Sequence, residues 1–229
     1  MRIAELFYSI QGEGKLMGVP SAFVRVSGCN LRCVWCDTPY ASWNPEGQEM
    51  SVDRILGRVG EFGARHVVVT GGEPLIMPDI EPLCEALAAA EYHITVETAA
   101  TVFKPLRLDL ASLSPKLANS TPLYREGGRL ARMHEQRRLN VPVIQSFIDT
   151  APLFQLKFVV ADPADLREIQ QVLGELRRWR PEDVLLMPEG TDAATLASRA
   201  AWLTEMCKQH GYRYCPRLHI ELYGNRRGS

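Results

Sequence analysis

No stretch of this chain approaches the roughly 18 consecutive apolar residues of a membrane-spanning helix. Its opening, MRIAELFYSIQGEG, lacks the charged segment and long apolar run of an export signal. Net charge is nearly absent as well: 26 Lys and Arg against 27 Asp and Glu leave −1, which gives no general attraction to nucleic acid or a membrane surface. Linkers and low-complexity tracts are missing, and 229 residues suit one domain better than two. The six cysteines lack the regular spacing of a disulfide framework; Cys84, Cys207 and Cys215 are scattered and three others cluster. Without an export signal, clustered cysteines point to metal binding or catalysis. The expectation is a cytoplasmic protein with neither a nucleic-acid nor a membrane partner.

What is present begins with that cluster. Cys29, Cys33 and Cys36 follow the apolar run Ala22–Val26 with the spacing C-x3-C-x2-C. Short runs of thiolates of this kind hold iron–sulfur clusters. A cubane cluster needs four ligands, yet Asp37 and Thr38 follow the third cysteine and the next one is Cys84. One iron is thereby left open for a small molecule, as an enzyme requires. Zinc takes the same soft ligands but calls for a fourth close by, commonly in paired C-x-x-C units. Ligand count favours the cluster; a non-catalytic iron–sulfur or zinc-binding protein is the alternative.

Strand-like runs (Ala22–Val26, His66–Thr70, His93–Glu97, Leu108–Leu113, Phe154–Val160, Asp183–Met187) alternate with helical ones at Ser51–Phe62, Ile80–Ala90, Pro163–Trp179 and Ala193–His210. The alternation predicts βαβ units around a parallel sheet. About six units are too few for a closed eight-fold barrel, so the expected fold is α/β, a partial (β/α)6-type barrel in one domain over 1–229. An irregular, basic insertion is expected around 119–138. Its arginines (125, 129, 132, 137, 138) interleave with Glu126 and Glu135, which reads as a solvated helix face.

Barrel active sites gather at the C-terminal ends of the strands, and polar residues fall there in this chain: the three cysteines, then Thr70-Gly71-Gly72-Glu73-Pro74, Glu97-Thr98, Ser114-Pro115-Lys116 and Met187-Pro188-Glu189-Gly190. The glycine pair permits close backbone approach. Glu73 offers a carboxylate to an amine, or merely caps the following turn. Gln11 can donate and accept on one ligand edge. Arg25 stands alone in an apolar strand, suited to clamp a carboxylate or to pair with an internal glutamate. Thr38 is placed to cap a helix, Cys84 reads as core, and His219 as a residue of a terminal strand.

The cysteine loop, with Trp35 just before its third thiol, and the later Gly71-Gly72-Glu73 resemble the radical S-adenosylmethionine superfamily. Within it, FYSIQGEG (7–14), GVPSAFVRVSGCN (18–30), CVWCDT (33–38), VTGGEP, VET, SPK, LKFVV and RLHIELYGN are similar to the 7-carboxy-7-deazaguanine synthase family over the whole chain except near 119–138. The resemblance implies a lyase that converts 6-carboxy-5,6,7,8-tetrahydropterin to 7-carboxy-7-deazaguanine with loss of ammonia, on the route to queuosine and related deazapurines. It implies a 4Fe–4S cluster on Cys29, Cys33 and Cys36 and magnesium at Thr38. S-adenosylmethionine would bind the open iron and contact Trp35, Asp37, Gly72, Glu73, Ser114, Pro115 and Lys116. The pterin would meet Ile10, Gln11, Gly12, Glu13, Arg25 and Thr70, with His219 as the candidate catalytic residue. A one-electron donor and a homodimer are also implied. A glycyl-radical activase shares the loop, but the IQGEG opening, Arg25 and Thr38 suit a carboxylate-bearing small molecule and not a peptide.

Overall fold

Near-continuous apolar runs such as HVVVT can be satisfied only by burial on both faces, which parallel strands achieve when helices cover them. The computed structural model describes all 229 residues and shows this arrangement. Its strands are β1 (Arg2–Ile10), β2 (Pro20–Val26), β3 (Gln48–Glu49), β4 (His66–Gly71), β5 (His93–Thr98), β6 (Leu110–Leu113), β7 (Leu153–Val160), β8 (Val184–Pro188) and β9 (Arg213–Tyr214). They form one sheet in the order β3-β1-β2-β4-β5-β6-β7-β8-β9, with free edges at β3 and β9. Every pairing from β2 to β9 is parallel. The sheet is therefore an unclosed, mostly parallel α/β barrel, as expected.

The helices are α1 (Val52–Glu61), α2 (Ile80–Ala89), α3 (Ala131–Arg137), α4 (Val141–Thr150), α5 (Asp165–Glu175), α6 (Ala193–His210) and α7 (Leu218–Tyr223). Local chemistry sets their ends. Ser51 accepts from the Arg54 amide at 3.3 Å to start α1, and Asp192 accepts from the Thr195 amide at 2.9 Å to start α6. Gly211, at φ 71°, closes α6 in the left-handed conformation. Helix and sheet faces share one apolar core that includes Cys84 on α2.

Four features depart from the sequence reading. Residues 2–10 form β1, antiparallel to both β2 and β3. Helix α4 covers β7, where no helix was expected. His219 lies on α7 and not in a strand. Segment 119–138 is only partly irregular: after short turns at 118–120 and 125–128 it forms α3, whose His134 is fully buried. Arg138 is likewise drawn inward between Glu135 and Glu168, at 2.8 and 2.6 Å.

Candidate active site

The C-terminal strand ends and the chain's tail enclose a cavity of about 430 Å³. Its wall brings together Ile10, Gln11, Gly12, Glu13, Arg25, the three clustered cysteines, Trp35, Asp37, Thr38, Thr70, Gly72, Ser114, Lys116 and His219. Two expected site residues, Glu73 and Pro115, lie off the wall. Glu73 is completely buried and its carboxylate is occupied: it accepts from Thr98 Oγ1 at 2.6 Å, Ala99 N at 2.8 Å and Leu75 N at 3.1 Å. In this structure it fastens the β4 turn to the end of β5.

The glycine pair also has an internal task. A Cβ on Gly71 would strike the backbone of Val26, and one on Gly72 would overlap the carbonyl of Gly28. The absence of side chains lets the cysteine loop dock on the end of β4, where Gly72 N donates to Val26 O at 3.1 Å and Glu73 N to Gly28 O at 2.9 Å. Further along the loop, Trp43 Nε1 donates to Cys33 O at 2.9 Å and Arg32 N donates to His134 Nδ1 at 3.1 Å. The 119–138 segment thus buttresses the loop.

All three thiols line the cavity. Burial pushes Cys29 and Cys33 up to about 12, and each feels the charge of neighbouring cysteines, with Lys116 opposing the rise at Cys33. Buried thiols of this kind reach the thiolate state by exchanging a proton for a metal. Ser27, two residues before Cys29, has a buried hydroxyl with no partner. Three soft donors, one cavity and no fourth ligand fit an iron–sulfur cluster with an open position.

Beside the thiols, Lys116 Nζ donates to Ser114 Oγ at 2.7 Å and lies 5.7 Å from the Trp35 ring centroid. Glu97, on the same cavity wall, organises a second group of polar side chains. It accepts from Gln11 Nε2 at 3.1 Å and from Thr70 Oγ1 at 2.8 Å. Arg25 gives Nε to Glu5 at 2.9 Å, and Tyr40 donates to the same oxygen at 2.7 Å. The Arg25 pairing with an internal glutamate therefore forms through Nε, while neither Nη group makes a hydrogen bond within the protein and the residue lines the cavity. Thr38 begins the turn at Pro39–Ala41 without capping it, and its hydroxyl touches only Cys36 Sγ, at 3.8 Å.

Two buried cations of the wall escaped the sequence reading, Lys157 and Arg217. Lys157 pairs with one Glu13 oxygen, and Arg217 Nε donates to the other at 3.1 Å. Arg217 Nη1 donates to Gly190 O at 2.6 Å and Nη2 to Asp37. Although burial opposes charge on Glu13, the two cations hold its carboxyl far below the usual range. Lys157 carried the same signal as Arg25, a lone charge inside an apolar strand (FQLKFVV). Arg217 gave none.

The open parallel barrel and its three-thiol cavity are those of a radical S-adenosylmethionine protein, and the Radical SAM superfamily pattern matches residues 23–119. The chain is 49% identical to the 7-carboxy-7-deazaguanine synthase of Halobacterium salinarum, covering 97% of this chain and 90% of that protein. It is 47% identical to the synthase of the same name from Rhodopirellula baltica, covering 99% and 88%. Among solved structures, QueE from Escherichia coli superposes with a TM-score of 0.71 at 26% identity, over 95% of this chain and 94% of that one. The chain belongs to the 7-carboxy-7-deazaguanine synthase family.

Proposed function

We propose that this protein is a 7-carboxy-7-deazaguanine synthase, converting 6-carboxy-5,6,7,8-tetrahydropterin to 7-carboxy-7-deazaguanine with loss of ammonia. The observation that carries the reading is that one cavity is lined both by three thiols and by the polar side chains of Gln11, Arg25, Thr70 and Glu97, which suit a small molecule bearing a carboxylate. When bound, a 4Fe–4S cluster and S-adenosylmethionine would supply radical hydrogen-abstraction chemistry to the pterin.

The chain's own residues supply place and proton control. Cys29, Cys33 and Cys36 would hold the cluster, and Trp35, Gly72, Ser114 and Lys116 would border the S-adenosylmethionine beside it. The two Nη groups of Arg25 suit bidentate binding of the pterin carboxylate. Gln11 keeps one N–H and one lone pair for the ring edge, since Glu97 and the Glu13 amide use the others. With its carboxylate fully taken, Glu13 supports the wall through its backbone and not as a ligand. Burial, with the Arg217 charge, holds His219 below its ordinary value against the pull of Glu13, leaving a neutral ring able to accept a proton at neutral pH. Thr38, with its hydroxyl uncommitted to capping, is the proposed protein ligand of magnesium; substrate oxygens and water would complete that shell. No helix is long and apolar enough to cross a membrane. The reading extends to a cytoplasmic homodimer served by a one-electron donor.

The test is anaerobic reconstitution with iron and sulfide, reduction, and mass analysis after adding S-adenosylmethionine, magnesium and 6-carboxytetrahydropterin. The expected product is 7-carboxy-7-deazaguanine, lost on Cys33→Ala. Formation of 5'-deoxyadenosine with the pterin intact would reject the substrate, and uptake of zinc without a cluster would reject the enzyme.

A further inference from the structure

Arg217 is 6% exposed and uses its guanidinium on three separate segments. Nε reaches Glu13 in the turn after β1, Nη2 reaches Asp37 between Cys36 and Thr38, and Nη1 reaches the Gly190 carbonyl beyond β8. The next residue, Leu218, donates its amide to Gly12 O at 3.0 Å, and His219 follows on the cavity wall. The side chain therefore joins the proposed pterin wall, the cysteine loop and the tail that carries His219. A planar fork with donors in three directions can do this; an ammonium on a flexible stem cannot. Its counter-charges are internal, so the charge is not spent on a ligand. We propose that Arg217 is a positioning residue of the reaction, setting the distance and angle between the pterin wall and the cysteine loop while seating His219 against Gly12.

This rests on the function proposed above, in which a pterin must meet a radical formed in the same cavity. Misplacement then produces radicals that miss their target, so product and abortive cleavage separate. A residue that only stabilises the fold would lower both together.

The experiment compares wild type with Arg217→Lys, using Arg58→Gln at an exposed pair as the control. Each protein is reconstituted, its iron content and melting temperature are recorded, and affinities for S-adenosylmethionine and 6-carboxytetrahydropterin are measured before reduction. After reduction, 5'-deoxyadenosine is counted per 7-carboxy-7-deazaguanine. For Arg217→Lys the expected result is normal iron content, S-adenosylmethionine affinity within about twofold, pterin affinity about tenfold weaker, and a ratio raised about fivefold or more. Unchanged pterin affinity and ratio would overturn the assignment. Should Arg217→Lys fail to fold or bind iron, Asp37→Asn removes one anchor and keeps the arginine. It must weaken the pterin about threefold or more and raise the same ratio; an unchanged pterin affinity and ratio overturns the proposal. A wild type that never converts the pterin rejects the functional reading, whereas a working wild type with unaltered variants rejects Arg217 alone.

Discussion

His219 packs directly over Gly12: a Cβ added at Gly12 would strike its Nδ1 and lie 2.7 Å from its Cγ, a hard overlap. Two residues separated by nearly the whole chain thus share one space, and the amide of Leu218 bound to Gly12 O holds them there. The backbone angle at Gly12 does not demand glycine, so the requirement is purely for room. Gly12→Ala should fold, assemble a cluster and displace His219. Product formation should fall by about tenfold to a hundredfold, the range expected when a catalytic group moves by an ångström. Turnover measured against iron content checks this, and an alanine variant as active as wild type would remove His219 from the mechanism.

Arg25 and Glu5 form an ion pair at 2.9 Å that leaves the outer edge of the guanidinium unused. Arg25→Lys keeps the charge but loses the parallel donors that fit a carboxylate. The KM for the pterin should rise about tenfold with the affinity for S-adenosylmethionine unchanged. Steady-state kinetics with each substrate varied in turn separates the two. A rise confined to S-adenosylmethionine would place Arg25 in the wrong half of the cavity.

The barrel was legible because its strands are buried on both faces and its helices carry ordinary caps, as at Ser51 and Asp192. The cysteine loop was legible because its ligands are local. Strand β1 was not, since its residues are mostly half-buried and the run RIAELFYSI alternates weakly. Helix α4 begins VPVI, three β-branched residues and a proline, with the β-branched ones favouring strand in isolation; packing on β7 overrides the preference. Glu73 was left between ligand contact and turn cap for a different reason. A carboxylate after Gly-Gly at a strand end looks alike whether it meets a ligand or the amides of Leu75 and Ala99, and only the tertiary fold decides. The partners of Arg217 lie 204 and 180 residues away, beyond any local pattern.

The Glu13–Lys157 pair is almost fully enclosed, with side chains 12% and 7% exposed. Taking away one member of such a pair strands a buried charge. Lys157→Met should destabilise the fold by about 3 kcal/mol, the lower end of the usual range because Arg217 still serves Glu13. Glu13→Gln in the same chain should recover part of the loss, since no charge is then left behind. Denaturant midpoints of the single and double variants test the coupling, and additive losses would mean the two side chains act independently.

Two buried histidines set an acid limit for the fold. His66 lies between Ser21 Oγ at 2.6 Å and Thr95 Oγ1 at 2.8 Å. His134 accepts from Arg32 N and meets Ser120 Oγ at 2.8 Å. Each ring is satisfied as a neutral donor and acceptor. Burial, with the neighbouring His93 adding to it at His66, pushes both down to about 4. An unfolded histidine takes its proton near 6.5, so between about 6.5 and 4 the unfolded chain binds more protons than the folded one. Stability is then complete above this window and lost as pH falls through it. The melting temperature should drop steadily from pH 7 to pH 4.5, and His66→Gln, which cannot charge, should flatten part of that slope despite a lower starting value. Because His134 props the cysteine loop through Arg32, loss of bound iron should accompany the first acid unfolding; iron retained throughout the acid transition would show that the loop stands without this support.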